Sequence, residues 1–157
     1  MKYADGPSVE VETRINTSPR VVWEWVSDVT VPARFSEELQ EVVRIDETHF
    51  VGRNRHAAVG AWETTCTVVA NEPGVVFAWV VGEPDNPSAQ WRFLMEPAHG
   101  GTRLRQWMRM GPAPSGLTPA ILAMPDKEER IIARRLDEHR VNMQATVDGI
   151  KGLAEAG

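Results

Sequence analysis

Val9, Val11, Thr13 and Ile15 alternate with Glu10, Glu12, Arg14 and Asn16, the period of two that marks a strand with one wet face. Thr17 and Ser18 then offer N-caps ahead of Pro19, a residue tolerated at the first helical position, and Val22, Trp23, Val26 and Val29 recur at helical spacing. This predicts a short helix to about Val29, interrupted at Pro32, with one more short turn within Ala33 to Glu38. From Leu39 to Met110 no long helical pattern intervenes, and the alternation predicts six further strands. They lie near Leu39 to Asp46, His49 to His56, Ala61 to Ala70, Val75 to Val81, Ser88 to Pro97 and Thr102 to Met110. Short turn segments separate them, such as Asn71-Glu72-Pro73-Gly74 and Gly100-Gly101, which implies an antiparallel meander.

Gly111 to Gly116 is too rich in proline and glycine for regular structure and reads as a mobile flap, after which Thr118-Pro119 restarts a short helix ending near Met124. Asp126, with Glu129 three residues later, predicts the cap of a last helix. Ile132, Leu136, His139, Met143, Val147, Ile150 and Ala154 trace one apolar face along it, for roughly 30 residues. A helix that long needs a broad apolar partner, and a curved seven-stranded sheet is the one such surface the pattern offers. The expected fold is α+β, with the helix in the concavity of the sheet.

Composition narrows the picture. At 157 residues and 42% apolar content the chain fits a single domain over 1–157, with a short disordered N-terminus at 1–7. The net charge of −5 is spread without acidic or basic blocks, which argues against nucleic acid and membrane surfaces as partners. Cys66 stands alone, so no intrachain disulfide framework forms, and a reducing cytoplasm fits. No segment reads as a signal peptide, and no apolar run approaches the ~20 residues needed to span a bilayer. Six tryptophans against one tyrosine bring large apolar area suited to ligand pockets as well as to cores.

The order of elements, together with Ser18-Pro19-Arg20-Val21-Val22-Trp23, Trp62, Glu72-Pro73-Gly74 and Gly100-Gly101-Thr102-Arg103-Leu104, resembles the START-like (SRPBCC) superfamily, in particular its polyketide cyclase/dehydrase and lipid-transport group. The resemblance covers nearly the whole chain. It implies a helix-grip fold: a curved seven-stranded antiparallel sheet around a long C-terminal helix, with two short helices between the first and second strands. It also implies an internal cavity for a hydrophobic small molecule. Aromatase/cyclases of the group look rich in pocket tryptophans, with an arginine on a middle strand and a tyrosine from the helical region. Here Glu63 to Val69 contains no arginine, and Tyr3 is expected to lie outside the fold.

Individual residues give candidates for the cavity. On the last strand Leu104, Met108 and Met110 share a face with Gln106, opposite Arg103, Arg105, Trp107 and Arg109. If the apolar set faces the helix, Gln106 becomes a polar group in an apolar cavity, met by a ligand, a water or a core hydrogen bond. Trp91, Phe93 and Met95 alternate on the preceding strand, and Phe77 and Trp79 on the one before, where they either wall a flat ligand or fill the core. Met143 and Met124 would add adaptable lining on the helix face and at the mouth.

His139 lies between Leu136 and Met143 on the apolar helix face, an acid or base near neutral pH or else a structural, hydrogen-bonded histidine. The parity of Asn54 and His56 against Trp62 to Thr67 is open. With Trp62, Thr64 and Cys66 inward, Glu63 is a solvated surface residue; with the reverse parity it is a buried carboxylate with a raised pKa and a strong base candidate. Burying the indole favours the first.

His49, His56, His99 and His139 show no i, i+4 pairing and cysteine is single, so no metal is expected; without a phosphate loop, neither is a nucleotide or other cofactor. The resulting expectation is a binder of a hydrophobic, aromatic or polyketide-like molecule, with cyclase/dehydrase chemistry as its catalytic form. In that form His139 or Glu63 would move protons and Gln106 or Asn54 would steady an enolate. The alternatives are a non-catalytic carrier or sensor of lipid-like ligands, and a co-chaperone-like interaction module presenting Trp107 among Arg103, Arg105 and Arg109. A homodimer stays open.

Overall fold

The computed structural model describes residues 1–157. Seven strands form one antiparallel sheet: β1 (Ser8–Ile15), β2 (Leu39–Arg44), β3 (His49–His56), β4 (Gly60–Glu72), β5 (Val76–Glu83), β6 (Asn86–Ala98) and β7 (Gly101–Met110). Their spatial order is β1-β7-β6-β5-β4-β3-β2, so the meander runs β2 to β7 and β1 closes it by pairing with β7. Register shifts in β2 at Leu39/Glu41, in β4 at Val68/Ala70 and in β5 at Val81/Gly82 act as bulges, which bend strands and deepen the curvature of the sheet.

Between β1 and β2 lie α1 (Pro19–Val26) and a 3-10 turn (Val31–Arg34). Ser18 caps α1 through its Oγ, which accepts the Val21 N–H at 3.3 Å, and Pro19 occupies the first turn. Pro32 sits inside the 3-10 turn, where it still separates the turn from α1. After β7 come α2 (Thr118–Ala123) and the 29-residue α3 (Glu128–Ala156).

Three expectations about the ends of elements are corrected. Asp126 belongs to a separate 3-10 turn (Pro125–Lys127) and makes no cap, so α3 starts without a side-chain cap at Lys127. Its first turn meets the N-terminus instead: Glu128 accepts the Tyr3 N–H at 2.8 Å and Glu129 pairs with the Met1 amine at 2.9 Å. Residues 1–7 are therefore tied down, with a 3-10 turn at Tyr3–Asp5, and Tyr3 lies within the fold. Its hydroxyl donates to the Ala113 carbonyl at 2.6 Å, and Ala113 donates its own N–H to Pro87, so the first half of the expected flap is pinned to the sheet.

The seat of α3 decides where space is left. The helix packs chiefly on β1, with lesser contacts to β7 and α1, and makes no comparable contact with β2 to β6. Phe35 fixes its far end: the ring presses on Gly149 so closely that a Cβ there would fall 2.4 Å from it. Under the helix, inward side chains are closed off, among them Val9, Val11, Ile15, Leu104, Met108 and Phe93. Farther along the same inner face Phe50, Cys66 and Phe77 are buried too, while Val42, Thr64, Val68, Trp79 and Val81 are half-buried. Because these half-buried positions alternate with buried ones where α3 contacts the sheet less, the inner face is left partly open as a shallow cleft between α3 and β3–β6. No helix is long and apolar enough to cross a membrane.

Candidate functional site

Cross-strand register places the aromatic side chains of the cleft in two rows. Trp79 on β5 stands opposite Trp91 on β6, which stands opposite Met108 on β7; Phe77, Phe93 and Gln106 make the next row inward. Such directly opposed residues share a face and touch, the contact that stabilises a sheet laterally. Trp79 is the hub. Its ring lies 5.9 Å from Trp91 with planes only 2° apart, 5.8 Å from both Phe77 and Phe93, and 6.2 Å edge-on from Phe50. The two half-buried indoles stack with their planes parallel, and the helix closes on them: His139 meets Trp91 edge to face at 5.4 Å and 83°.

Parity on β4 is resolved by pairing. Phe50, Gly52 and Asn54 on β3 oppose Cys66, Thr64 and Trp62, so that set faces the cleft. Glu63 consequently lies on the outer face, exposed and paired with Arg53 at 3.3 Å, and the buried-base alternative for it does not hold. Asn54 donates from Nδ2 to the Gly52 carbonyl at 3.3 Å and to Thr64 Oγ1 at 3.4 Å. Trp62 is half-buried at the same end of the cleft, beside an open groove of about 530 Å³ that it shares with Arg53, Asn54, Ala61 and Glu63. Met108 and Met110 on β7 and Met143 on α3 are buried, so they belong to the core between helix and sheet, with Met108 opposite Trp91. Met124 is exposed.

Protonation states follow from burial. Burial, helped by the nearby Arg135 charge, pushes the His139 imidazole down to about 4, so it is neutral at pH 7. The expectation of a group titrating near neutrality is corrected accordingly. Burial pushes the Cys66 thiol up to about 11, which keeps it protonated and unreactive.

At the end of the cleft near the β3–β4 turn, four residues from three separate stretches of the chain converge. Arg135 on α3 holds Glu38 through both guanidinium nitrogens, with Nη2 to Oε2 at 2.8 Å, and donates to Glu138 at 2.9 Å. His56 on β3 completes the chain: its Nδ1 accepts the Ala58 N–H at 3.0 Å, which assigns the ring proton to Nε2, 3.0 Å from Glu138. Burial raises the Glu138 pKa, but the bonds from His56 and Arg135 outweigh it and hold the carboxyl below the usual range. A groove of about 340 Å³ adjoins, lined by Glu37, Glu38, Arg55, His56, Ala57, Glu138, Val141 and Asn142. Glu38, His56 and Glu138 bring donor atoms within 4.8 Å of one another, a cluster that helical spacing cannot reveal. Arg135 already supplies the cation between the carboxylates, and a divalent ion would meet its charge at contact distance, so the set does not fit a metal.

This network also ties the cleft side of α3 to the edge of the sheet. Arg135→Met is expected to cost about 2 kcal/mol, below the range for fully buried pairs because the partners keep some solvent, and it leaves Glu38, only 13% exposed, unpaired. Urea unfolding of this variant and of Arg135→Met/Glu38→Leu checks it: the second substitution should restore stability, and a neutral single variant would show the pair to be inert.

Sequence reasoning missed Glu38, Arg135 and Glu138. The i, i+3 spacing of Arg135 and Glu138 was visible, but Glu38 lies 97 residues away. Trp107, the residue of the interface alternative, is half-buried beneath the Arg92 guanidinium, 4.5 Å above its ring.

A family model described as polyketide cyclase / dehydrase and lipid transport matches residues 6–147. No curated protein matches the chain. Among solved structures, a Polyketide_cyc-like protein, Cgl2372 from Corynebacterium glutamicum, is 24% identical with a TM-score of 0.66, over 96% of this chain and 93% of that one. The Zhui aromatase/cyclase from Streptomyces sp. R1128 is 19% identical with a TM-score of 0.66, over 96% and 94%. The di-domain ARO/CYC BexL of the BE-7585A biosynthetic pathway is 16% identical with a TM-score of 0.71; the match covers 97% of this chain and 51% of that protein. These likenesses establish the helix-grip fold.

Proposed function

Because the chain belongs to the polyketide cyclase/dehydrase and lipid transport family, we propose that its cleft binds a hydrophobic, ring-containing, polyketide-like molecule against the Trp79–Trp91 pair. The observation that carries this reading is the stacked pair of indoles, half-buried on the inner face of the sheet beside α3. Aromatic area that water still reaches gains from an apolar guest, at about 25 cal/mol per Å² covered. The inward residues around the indoles, Val68, Phe77, Val81, Ala89, Phe93 and Met108, are uncharged, in keeping with a neutral guest.

Binding is favoured over acid–base turnover. A dehydration needs both a proton acceptor and a proton donor at the substrate. His139 is neutral and largely enclosed, Cys66 stays protonated, and Glu63 faces solvent. Cyclase activity is the second reading, favoured by the contact of His139 with Trp91: the unprotonated ring would accept a proton from a folded chain confined by the cleft.

Tryptophan fluorescence titrated with aromatic polyketide-like compounds, quinones and fatty acids tests the reading. Saturable quenching by the flat compounds is expected, weakened at least tenfold in Trp91→Ala, as for an aromatic contact of about 1.4 kcal/mol. A flat response across the panel removes the reading. If a turning-over substrate emerges, undiminished turnover in His139→Ala excludes the histidine from its mechanism.

A further inference from the structure

The β3–β4 hairpin overhangs the rest of the sheet. β4 pairs with β5 only from Cys66 onward, so Gly60 to Thr65 have β3 as their one neighbour, and β3 has only the edge strand β2 on its other side. The inner face of this overhang carries Gly52, Asn54, Trp62 and Thr64. Trp62 is its one large apolar side chain, half-buried yet outside the set packed against the closed core, and Val59 at the turn is 63% exposed. A ribbon of this kind is marginal in water unless an apolar face is covered. Segments with few buried apolar contacts open locally at low free energy.

Charge holds the overhang to the body. Its ties across the cleft all end on α3: His56 donates to Glu138 at 3.0 Å, Glu38, just ahead of β2, takes both guanidinium nitrogens of Arg135, and the Glu37 N–H donates to Asn142 Oδ1 at 3.2 Å. Arg135 also holds Glu138 at 2.9 Å, which joins the two sides into one network. Burying such charges costs nearly what their attraction returns, so the network fixes where the hairpin sits without making it costly to release. When the two sides part, all four charged partners regain water together, unlike the case in which one of them is deleted.

Resting on the binding proposal above, we infer that the β3–β4 overhang is a lid that swings away from α3 to admit ligand to the cleft, with Glu38, His56, Arg135 and Glu138 as its catch. A catch that touches no ligand cannot shift the binding equilibrium, so loosening it speeds entry and exit alike.

The single cysteine reports opening without any ligand. Cys66 sits at the root of the overhang, facing inward between Phe50 and Val81, and is 3% exposed. The test measures its alkylation rate by N-ethylmaleimide at pH 7 in the wild type, Arg135→Gln, Glu138→Gln and Arg103→Gln, the last of which breaks the pair with Glu12 on the outer face. Arg135→Gln and Glu138→Gln should each raise the rate roughly tenfold, a loss of about 1.4 kcal/mol from the closed state, while Arg103→Gln keeps the wild-type rate. The raised rates should be flat at low urea, as for a local opening. Stopped-flow fluorescence with 2-naphthol should show association and dissociation accelerated together in the same two variants, at a dissociation constant unchanged within about twofold.

A wild-type Cys66 rate in both variants overturns the lid, as do rates that climb with urea from the start, the mark of global unfolding. Weaker binding of 2-naphthol through dissociation alone would make Arg135 and Glu138 ligand contacts rather than a catch, and also overturns it. If 2-naphthol binds to no variant while Cys66 reacts as expected, the lid stands and the binding reading falls.

Discussion

Truncating Phe93 to alanine is expected to lower the unfolding free energy by about 4 kcal/mol, in the range measured for fully enclosed aromatic side chains. Phe93 is 0% exposed, faces Phe77 and Gln106 across its two neighbouring strands, and lies 5.8 Å from the Trp79 ring. Removing it deletes the transfer free energy of a ring and leaves a cavity between the sheet and α3 that neighbours held by the sheet cannot fill. Urea unfolding reads the effect as a shift in midpoint at unchanged slope. Val69→Ala, on an exposed side chain of β4, serves as the control and should stay within about 0.5 kcal/mol. A cost below about 1.5 kcal/mol for Phe93→Ala would mean that the residue borders open space, and that the closed core begins nearer β1 than the burial gradient places it.

Acid is expected to destabilise the protein through His139, in a window set by its own titration. In the unfolded chain the imidazole takes up a proton near 6.5; in the folded protein burial delays this to about 4. Between these values the unfolded state binds more protons, so folding stability falls as the pH falls from 6.5 towards 4 and is fully present above 6.5. The gap corresponds to about 3 kcal/mol at its acid end. The carboxylates held low, Glu138 among them, lose their contribution as the pH falls through the ordinary carboxylate range, so the upper part of the window, from 6.5 to about 5, reports the histidine. Stability measured from pH 7.5 to 4.5 for the wild type and His139→Leu checks this: the wild-type curve should fall more steeply, the difference growing as the pH drops through 6.5. Parallel curves would show that the histidine titrates normally and that α3 does not seal it against Trp91.

Most of the architecture was legible because the inner face is apolar where the helix covers it, apart from Thr13, Thr102 and Gln106. Val9, Val11 and Ile15 against Glu10, Glu12 and Arg14 mark β1 unambiguously, and the residues predicted for the third strand, His49 to His56, are those that form β3. The face of α3 from Ile132 to Ala154 was equally plain. Where polar residues occupy both faces, the pattern fell silent. Thr64, Thr65 and Thr67 carry no contrast between the faces of β4, and only pairing with Phe50 and Gly52 turns Thr64 and Cys66 inward and Glu63 out.

Properties that depend on distance in sequence were illegible for a different reason. The position of His139 on an apolar face was evident, but its proton affinity depends on Trp91, Arg135 and the depth of the cleft. Gln106 was visible as a polar residue among methionines, whereas its lack of a partner emerges only once Thr102 and Thr146 are seen to spend their hydroxyls on backbone carbonyls. The off-centre seat of α3 on β1, which opens the cleft, is a packing outcome that no periodicity encodes.

The most direct test of the cleft is the indole N–H region of a nitrogen-15 correlation spectrum, where each of the six tryptophans gives one resolved signal, assigned by single Trp→Phe variants. On adding 2-naphthol the Trp79 and Trp91 signals should shift saturably, while Trp107 beneath Arg92 and Trp23, bonded to Asn71 at 2.8 Å, stay in place. Shifts at Trp107 or Trp23 with Trp79 and Trp91 unmoved would contradict the account and place the binding surface outside the sheet's concave face.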